Sequence, residues 1–340
     1  MALSVVVADD LGDVGADELY ELDANVGALG CRGRLVQHSD DPRWEPRYVI
    51  VRDGSRLCAA VPVFLGLGTE WSDQIHSPKE WGLDESPIQA KSALVGGRLE
   101  IRGSLRCVDE PEVFRSVLDG CASISELDGR ELFLGYLDER QQRLAEAIFG
   151  PMEWLVEYDD FVYPEEIVLG SLADVPRNVR QTIRHGERQI AEHQIKAETV
   201  PWQEYRGTAC ALIAEHNKRM GMVDHPALVR YRMDQWDECD EVSVSVVHAT
   251  AGGEEGAAEG AVTLLTYRDE LEVYEVGLPG EDGPGRRALY ACLTFHEPRR
   301  IAQSLGVKTV RAGLDAGRPK RLRGAQAVTR RCGRALRPPL

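Results

Sequence analysis

Nothing in this sequence offers a ready covalent nucleophile or a metal cage. It contains no HExxH, no P-loop, no GxSxG and no CxxC pair, the arrangements that would announce zinc hydrolysis, phosphate cradling, acyl-enzyme chemistry or a thiol redox site. Its eight cysteines, at 31, 58, 107, 121, 210, 239, 292 and 332, are scattered without zinc spacing, so they read as reduced core or surface thiols. No carboxylate cluster has metal spacing, and no metal is expected. Long apolar runs are missing as well, none approaching the roughly 20 residues that span a bilayer. The N-terminus, MALSVVVADDLGDVG, has no basic region, and Asp9 and Asp10 cut its apolar run short. It is therefore not a signal peptide, and a cytoplasmic location is expected. Aromatic residues make up only 6% of the chain, which leaves few stacking surfaces for sequence-specific RNA reading. Positive charge is scarce too: 40 Lys and Arg stand against 56 Asp and Glu, a formal net charge of -16, and this argues against wholesale coating of nucleic acid.

What is present is an ordinary globular composition, 43% hydrophobic and 28% charged over 340 residues, enough for two domains. Strand and helix patterns alternate twice. The first half holds SVVVAD, a hairpin over PRYVIVRDGSRLCAAVPVFLG turning at Asp53-Gly54, a helix near 111 to 125, the strand ELFLGYL, a helix near 138 to 149 and a strand around EWLVEY. The second half holds a basic helix from 175, the strand QIKAETV, helices near 203 to 220 and 226 to 237, three successive strands, a glycine-rich loop, one long helix over about 285 to 305 and the strand VKTVRAGL. The two halves suggest a duplication without a residue-level repeat. They are assigned as 1–165 and 166–340, the second carrying a basic C-terminal segment.

Within this acidic chain, cations cluster in three places. Arg177, Arg180, Arg184 and Arg188 recur at spacings of three, four and four; at about 100° per residue they share an arc of roughly 80°, while Val179, Ile183 and Ile190 occupy another side. Such a comb suits phosphate, because the guanidinium fork forms paired charge-assisted bonds; the competing reading is a solvated face. After Asp315 no acidic residue occurs, yet Arg318, Lys320, Arg321, Arg323, Arg330, Arg331, Arg334 and Arg337 do, a basic track or a loose tail. The third place is a loop, Gly280-x-x-Gly283-x-Gly285, followed by Arg286 and Arg287 in the first helical turn. Its glycines permit close backbone approach to an anion at a helix N-terminus, although a surface turn explains the pattern equally well.

The strand, glycine loop, helix and strand order over residues 270–313 resembles the donor-binding core of the GNAT superfamily, with Gly280 where that family's loop carries Gln or Arg. Taken whole, the chain is similar to the Fem-type branch, on the basic helix, on FHEPRRIAQSLGVKTVRAGL, and on GRPKRLRG, which resembles that branch's Lys-x-x-x-Gly element through Lys320 and Gly324. The resemblance implies an α/β (α+β) fold of two tandem GNAT-like domains, each a mixed central sheet flanked by helices. It implies transfer of an aminoacyl group from aminoacyl-tRNA to an amine of a small molecule or peptide, of the natural-product or cell-wall precursor type, without a further cofactor. An acyl-CoA donor is the alternative, and a non-catalytic binding module the second. On this likeness Lys320 is the electrostatic candidate for the developing oxyanion, and Tyr274 or Glu275 the proton acceptor. Strand alternation would let only one of that pair face the cleft, the competing roles being a core tyrosine and a salt bridge. The four arginines of the helix, Gly280, Gly283, Gly285, Arg286, Arg287, Arg318, Arg321 and Arg323 form the donor set. Trp71, His76 and Trp81 are the acceptor candidates, or else lids over the core. His185, His216, His225, His248 and His296 lack a visible orienting partner and read as structural; His225 follows Asp224 at a helix start, a capping position.

Overall fold

The computed structural model describes residues 3–71, 77–84, 87–98, 100–252, 258–280, 284–314 and 316–336. The chain divides into two units, one of Met1–Asp159 together with Thr329–Leu340, the other of Asp160–Val328. The division precedes the expected boundary at 165/166, and the C-terminal residues go to the first unit rather than the second.

The first unit contains β1 (Ser4–Ala8), α1 (Ala16–Leu22), α2 (Arg32–Ser39), β2 (Trp44–Asp53), β3 (Arg56–Gly66), β4 (Ser92–Val95), α3 (Pro111–Ala122), β5 (Glu131–Leu137), α4 (Glu139–Phe149) and the start of β6 (Met152–Tyr163). The second contains the end of β6, then α5 (Glu165–Val168), α6 (Arg177–Glu192), β7 (Lys196–Pro201), α7 (Trp202–Arg219), α8 (Pro226–Asp237), β8 (Ser243–Ala251), β9 (Ala258–Tyr267), β10 (Glu270–Gly277), α9 (Pro284–Ala291), α10 (Glu297–Leu305), β11 (Thr309–Gly313) and α11 (Gly317–Arg321). β12 (Gln326–Ala335) leaves it and completes the first.

Local chemistry accounts for most of these elements. Gly54 takes φ +59° in the β2–β3 turn, where a side chain would be strained. Pro111 opens α3, and the Asp138 carboxylate caps α4 by accepting from the Gln141 N–H at 2.9 Å. The helix expected over 285 to 305 is interrupted by a π turn, Cys292–His296, between α9 and α10. Pro298 has no N–H to offer the Thr294 carbonyl, and the wider turn absorbs the missing rung.

The pairing pattern is the same in both units. β1, β2, β3 and β4 pair antiparallel, β4 pairs parallel with β5, and β5 pairs antiparallel with β12. Likewise β7, β8, β9 and β10 pair antiparallel, β10 pairs parallel with β11, and β11 pairs antiparallel with β6. The duplication thus lies in topology, not in residue identity. A parallel pair needs a crossover, which α3 supplies in the first unit and α9 with α10 in the second. Val113, Val117 and Cys121 of α3 pack with Leu144 and Ile148 of α4 on Val49, Val61 and Val63. Val179 and Ile183 of α6 pack with Leu289, Leu293 and Ile301 on Leu264, Leu271 and Val310.

All eight cysteines are buried free thiols, and burial pushes those of Cys107, Cys121, Cys292 and Cys332 up to about 12, which makes them core residues rather than nucleophiles. The basic C-terminus is a strand, not a loose tail. In β12, Arg330 is buried and donates to the Tyr136 carbonyl at 3.3 Å, Arg331 pairs with Glu157 at 3.0 Å, and Arg334 pairs with Glu153 at 2.6 Å and Glu131 at 3.1 Å. These arginines are committed to the first unit's carboxylates and carbonyls, so the expected phosphate track does not extend past Arg323. Arg337 lies outside the described residues.

Candidate active site in the second unit

β10 and β11 run side by side for only three register pairs, Glu270 with Thr309 to Glu272 with Arg311. Their pairing then stops, although β10 continues to Gly277 and β11 to Gly313. At the point of parting β10 carries a bulge: Val273 faces Leu264 and Val276 faces Val262, which leaves Tyr274 and Glu275 opposite Thr263 alone. The buried Thr263 hydroxyl accepts from the Glu275 N–H at 3.0 Å. A bulge suspends alternation locally, and both side chains meet one face of α8. Tyr274 lies edge-on to Trp236 with ring centroids 5.6 Å apart, and Glu275 engages Arg232. Strict alternation would send the two side chains to opposite faces, and the bulge instead turns both to α8.

Arg232 makes a fork-to-fork pair with Glu275, 2.9 Å and 3.1 Å, and a second with Asp224 at 2.8 Å and 3.2 Å. Asn217 donates to Asp224 at 2.7 Å. Burial disfavours the charge on Asp224, but the hydrogen bonds from Arg232 and Asn217 outweigh it and hold the carboxyl below its ordinary range. Burial likewise works against the Arg232 charge, and its two carboxylate partners overcome that and raise it above its ordinary value. Glu275 therefore carries the salt bridge foreseen as its competing role.

Beyond β10 the chain enters the glycine segment. Arg219, at the end of α7, donates to the Leu278 carbonyl, and Arg286 in α9 donates to the Pro279 carbonyl at 2.9 Å. Gly280 is exposed with the Arg219 guanidinium beside it; Gly285 sits near His193; Arg287 is exposed. Gly283 falls outside the described residues. His216 is half-buried here, and burial, then Arg219 and Arg286, lower its pKa, so it is a neutral imidazole among cations.

On the other side, past β11, Ala316 holds φ +44°, a left-handed value that is uncommon outside glycine. α11 follows. Lys320 is buried there at 7% exposure; its ammonium donates to the Gly313 carbonyl at 3.1 Å and the Leu314 carbonyl at 2.5 Å, and lies 5.2 Å from the Phe161 ring centroid. Arg321 covers the same ring at 4.8 Å. Arg318 is exposed, while Arg323 donates to the Pro319 carbonyl at 2.9 Å and lies over Phe295. Gly324 packs between Ile167 of α5 and Val179 of α6, and Gly186 of α6 abuts His296 in the π turn too closely to admit a side chain. The arginine helix and the α11 segment are thus neighbours on one support. On α6, Arg177, Arg184 and Arg188 are exposed within an arc of about 40°. Arg180 stands apart: it donates to the Ala173 carbonyl at 2.9 Å and the Leu172 carbonyl at 3.4 Å, fastening the preceding loop.

The first unit's matching crossover is closed by its own chain. After Val95 the backbone makes an excursion through Gly96 and Gly97, with φ of +88° and +128°, and returns so that the Gly103 N–H reaches the Tyr136 carbonyl of β5 at 3.3 Å. Residues 106 to 108 then rejoin β3, through the Ala60 N–H to the Arg106 carbonyl and the Val108 N–H to the Cys58 carbonyl, both 2.9 Å. A Cβ at Gly103 would overlap the Gly135 carbonyl oxygen. Gly103→Ala is expected to destabilise the first unit by about 1–3 kcal/mol, read as a lower midpoint in urea unfolding. The acceptor candidates also lie in this unit. Trp71 donates to the Pro87 carbonyl at 2.8 Å and packs on Trp44 and Phe133; Trp81 is 1% exposed against Phe133 and Tyr136. Both are packing residues over the sheet, and His76 lies outside the described residues.

No protein-family model and no curated protein matches the chain. Solved structures do. FemX superposes with a TM-score of 0.62 at 8% identity, over 98% of this chain and 97% of that one. A tandem GNAT protein from the clavulanic acid biosynthesis pathway superposes with a TM-score of 0.52 at 13% identity, over 98% of each chain. The chain has the tandem GNAT fold of the Fem type. In the second unit Tyr274 and Glu275 lie at the bulge where the strands part, Gly280 in the segment just beyond β10, Gly285, Arg286 and Arg287 at the start of α9, and Lys320 at the end of β11. Arg318, Arg321 and Arg323 belong to the segment that meets α6 through Gly324. Trp71 and Trp81 belong to the first unit. Arg232, Asp224 and Arg219 were not foreseen as site residues, and His216 was expected only as a structural histidine; Arg232 meets Glu275 across 43 positions, and no local pattern marks such a pair. Among the described residues no helix is long and apolar enough to cross a membrane.

Proposed function

We propose that the chain is an N-acyltransferase that forms an amide by moving an aminoacyl group from aminoacyl-tRNA to an amine. The observation that carries this reading is the parting of β10 and β11 beside a glycine segment whose carbonyls are held by Arg219 and Arg286. In the reaction the amine lone pair attacks the ester carbonyl, a tetrahedral oxyanion forms, and the ribose oxygen leaves with a proton while the amine gives one up. No enzyme-bound acyl group is needed, in keeping with a chain whose thiols are all buried. In this proposal Lys320 fixes the end of β11 and lends positive potential to the developing oxyanion. Tyr274 is the candidate proton relay, because the Glu275 carboxylate is held by Arg232.

The donor choice rests on α6. Three exposed arginines on one arc, with exposed Arg318 and Arg321 on the neighbouring segment, form a cationic face on an otherwise acidic chain, as a polyanionic carrier requires. Gly280 stands where the CoA-binding loop of GNAT proteins carries Gln or Arg. The experiment is transfer to amine acceptors from a pool of radiolabelled aminoacyl-tRNAs and, separately, from labelled acyl-CoAs. Ribonuclease-sensitive transfer is expected. Release of coenzyme A thiol with no ribonuclease sensitivity would move the donor to acyl-CoA, and no transfer from either pool would leave a binding module.

A further inference from the structure

Arginine is almost never fully buried unless it is paired, yet the excursion that closes the first unit's crossover buries three, Arg98, Arg102 and Arg106, at 4%, 3% and 2% exposure. With His38 of α2 and Glu100 they line one small cavity beside the 3-10 turn Ala24–Gly30. Glycine at position 30 admits the Arg106 guanidinium, which a Cβ there would strike. Glu100 is the one carboxylate among the lining residues, and Arg34 takes it at 2.7 Å. Arg98 pairs with Asp41 at 2.8 Å, a carboxylate it shares with Arg43, and Arg106 donates to the Leu19 and Gly30 carbonyls. His38 is different. It is 4% exposed, yet among the described residues neither ring nitrogen has a hydrogen-bond partner; Glu100 lies 3.6 Å from Nε2, beyond bonding range. Burial, opposed by Glu100 and aided by Arg34 and Arg98, pushes its pKa down to about 4, so at neutral pH the ring is uncharged and has an N–H to give. A buried donor left without an acceptor is rare in folded proteins and points to an occupant.

Size limits the occupant first. The cavity leaves about 10 Å³ for the centre of a water-sized body, room for one small sphere, which excludes phosphate, carboxylate and nucleotide groups. Charge then sets its sign. Three guanidiniums in the lining repel a cation, and groups that only donate, as a guanidinium does, are matched by an occupant that only accepts. We propose that the first unit holds a single monatomic anion of halide size in this cavity, coordinated by His38 and the guanidiniums of the excursion, and that the ion ties α2 to the closed crossover. The site lies wholly within the first unit, so it stands apart from the transfer proposed for the second.

The probes are sodium chloride and sodium bromide, with sodium gluconate, whose anion is too large to enter, holding the ionic strength constant. In urea unfolding of the full chain, each tenfold rise in chloride beyond half-saturation should shift the folding equilibrium by about tenfold, the linkage expected of one ion per molecule. Bromide should act likewise. Crystals grown in sodium bromide should show one anomalous scattering peak in contact with the His38 ring. His38→Phe fills the cavity and removes the donor, so it should keep the fold by circular dichroism and lose the halide response. A midpoint that does not follow chloride, a response equal in gluconate, or a variant that keeps the response overturns the proposal. So does density at His38 without a bromide signal, which is the mark of an ordered water. If the variant does not fold, the presence or absence of the bromide peak in the wild-type protein decides.

Discussion

Replacing Arg232 with alanine should lower the stability of the second unit by about 3 kcal/mol, because it strands two carboxylates that the folded chain keeps largely from water. Asp224 is 7% exposed, and the Glu275 side chain 14%. For a unit of this size the loss corresponds to a fall in Tm of about 6–12 °C. The pH dependence supplies a second reading. The Asp224 carboxyl is depressed in the folded state, so its contribution is complete above the unfolded value and is lost as pH falls through the folded one. At neutral pH the full gap between wild type and variant is expected; below about pH 4 it should narrow as Asp224 protonates. Thermal melts from pH 3 to pH 7 check this, and a gap constant across that range would show that the guanidinium is not what holds Asp224 ionised. A fall in transfer at temperatures where the variant remains folded is also expected, because the bulge at Tyr274 and Glu275 loses its tether.

The second large effect belongs to α6. Reversing Arg177, Arg184 and Arg188 together to glutamate should weaken aminoacyl-tRNA binding by about 100-fold near 0.1 M salt and reduce the slope of log affinity against log salt by about 2–3. Arg180→Glu should behave differently. That residue fastens Leu172 and Ala173, so its reversal is expected to lower stability while leaving the salt slope nearly intact. Filter binding across a salt series distinguishes the two classes, and equal slopes for the triple variant and the wild type would remove the helix from the site.

The regular elements were legible because their signals are local. Alternation, the Asp53-Gly54 turn and the cap at Asp138 each act within a few residues, and the packing face of α6 followed from the spacing of Val179 and Ile183. The first departures came where one residue's covalent limits meet a longer pattern: Pro298 converts an expected continuous helix into two helices joined by a π turn, although hydrophobic periodicity runs straight through. The basic C-terminus misled because composition alone was read. Arg331 and Arg334 of β12 find carboxylates more than 170 positions away, partners that only the register of the sheet can specify. At the candidate site the glycine segment and Lys320 were visible as residue types, but the direction of each side chain was not. A bulge, which leaves no mark in the residue order, turns Tyr274 and Glu275 to the same helix, and the Arg232 fork is assembled from three separate elements.

The exchange of closing strands fixes a schedule for synthesis. β12, which flanks β5 in the first unit, follows the second unit in the chain and emerges only after that unit has been translated. Until then the outer backbone groups of β5 have no partner from that side, and a nascent chain stalled before Thr329 would expose an unsatisfied sheet margin. Cutting the chain between Asp159 and Asp160 therefore deprives the first unit of β12, and a first unit made alone requires that strand joined back through a linker.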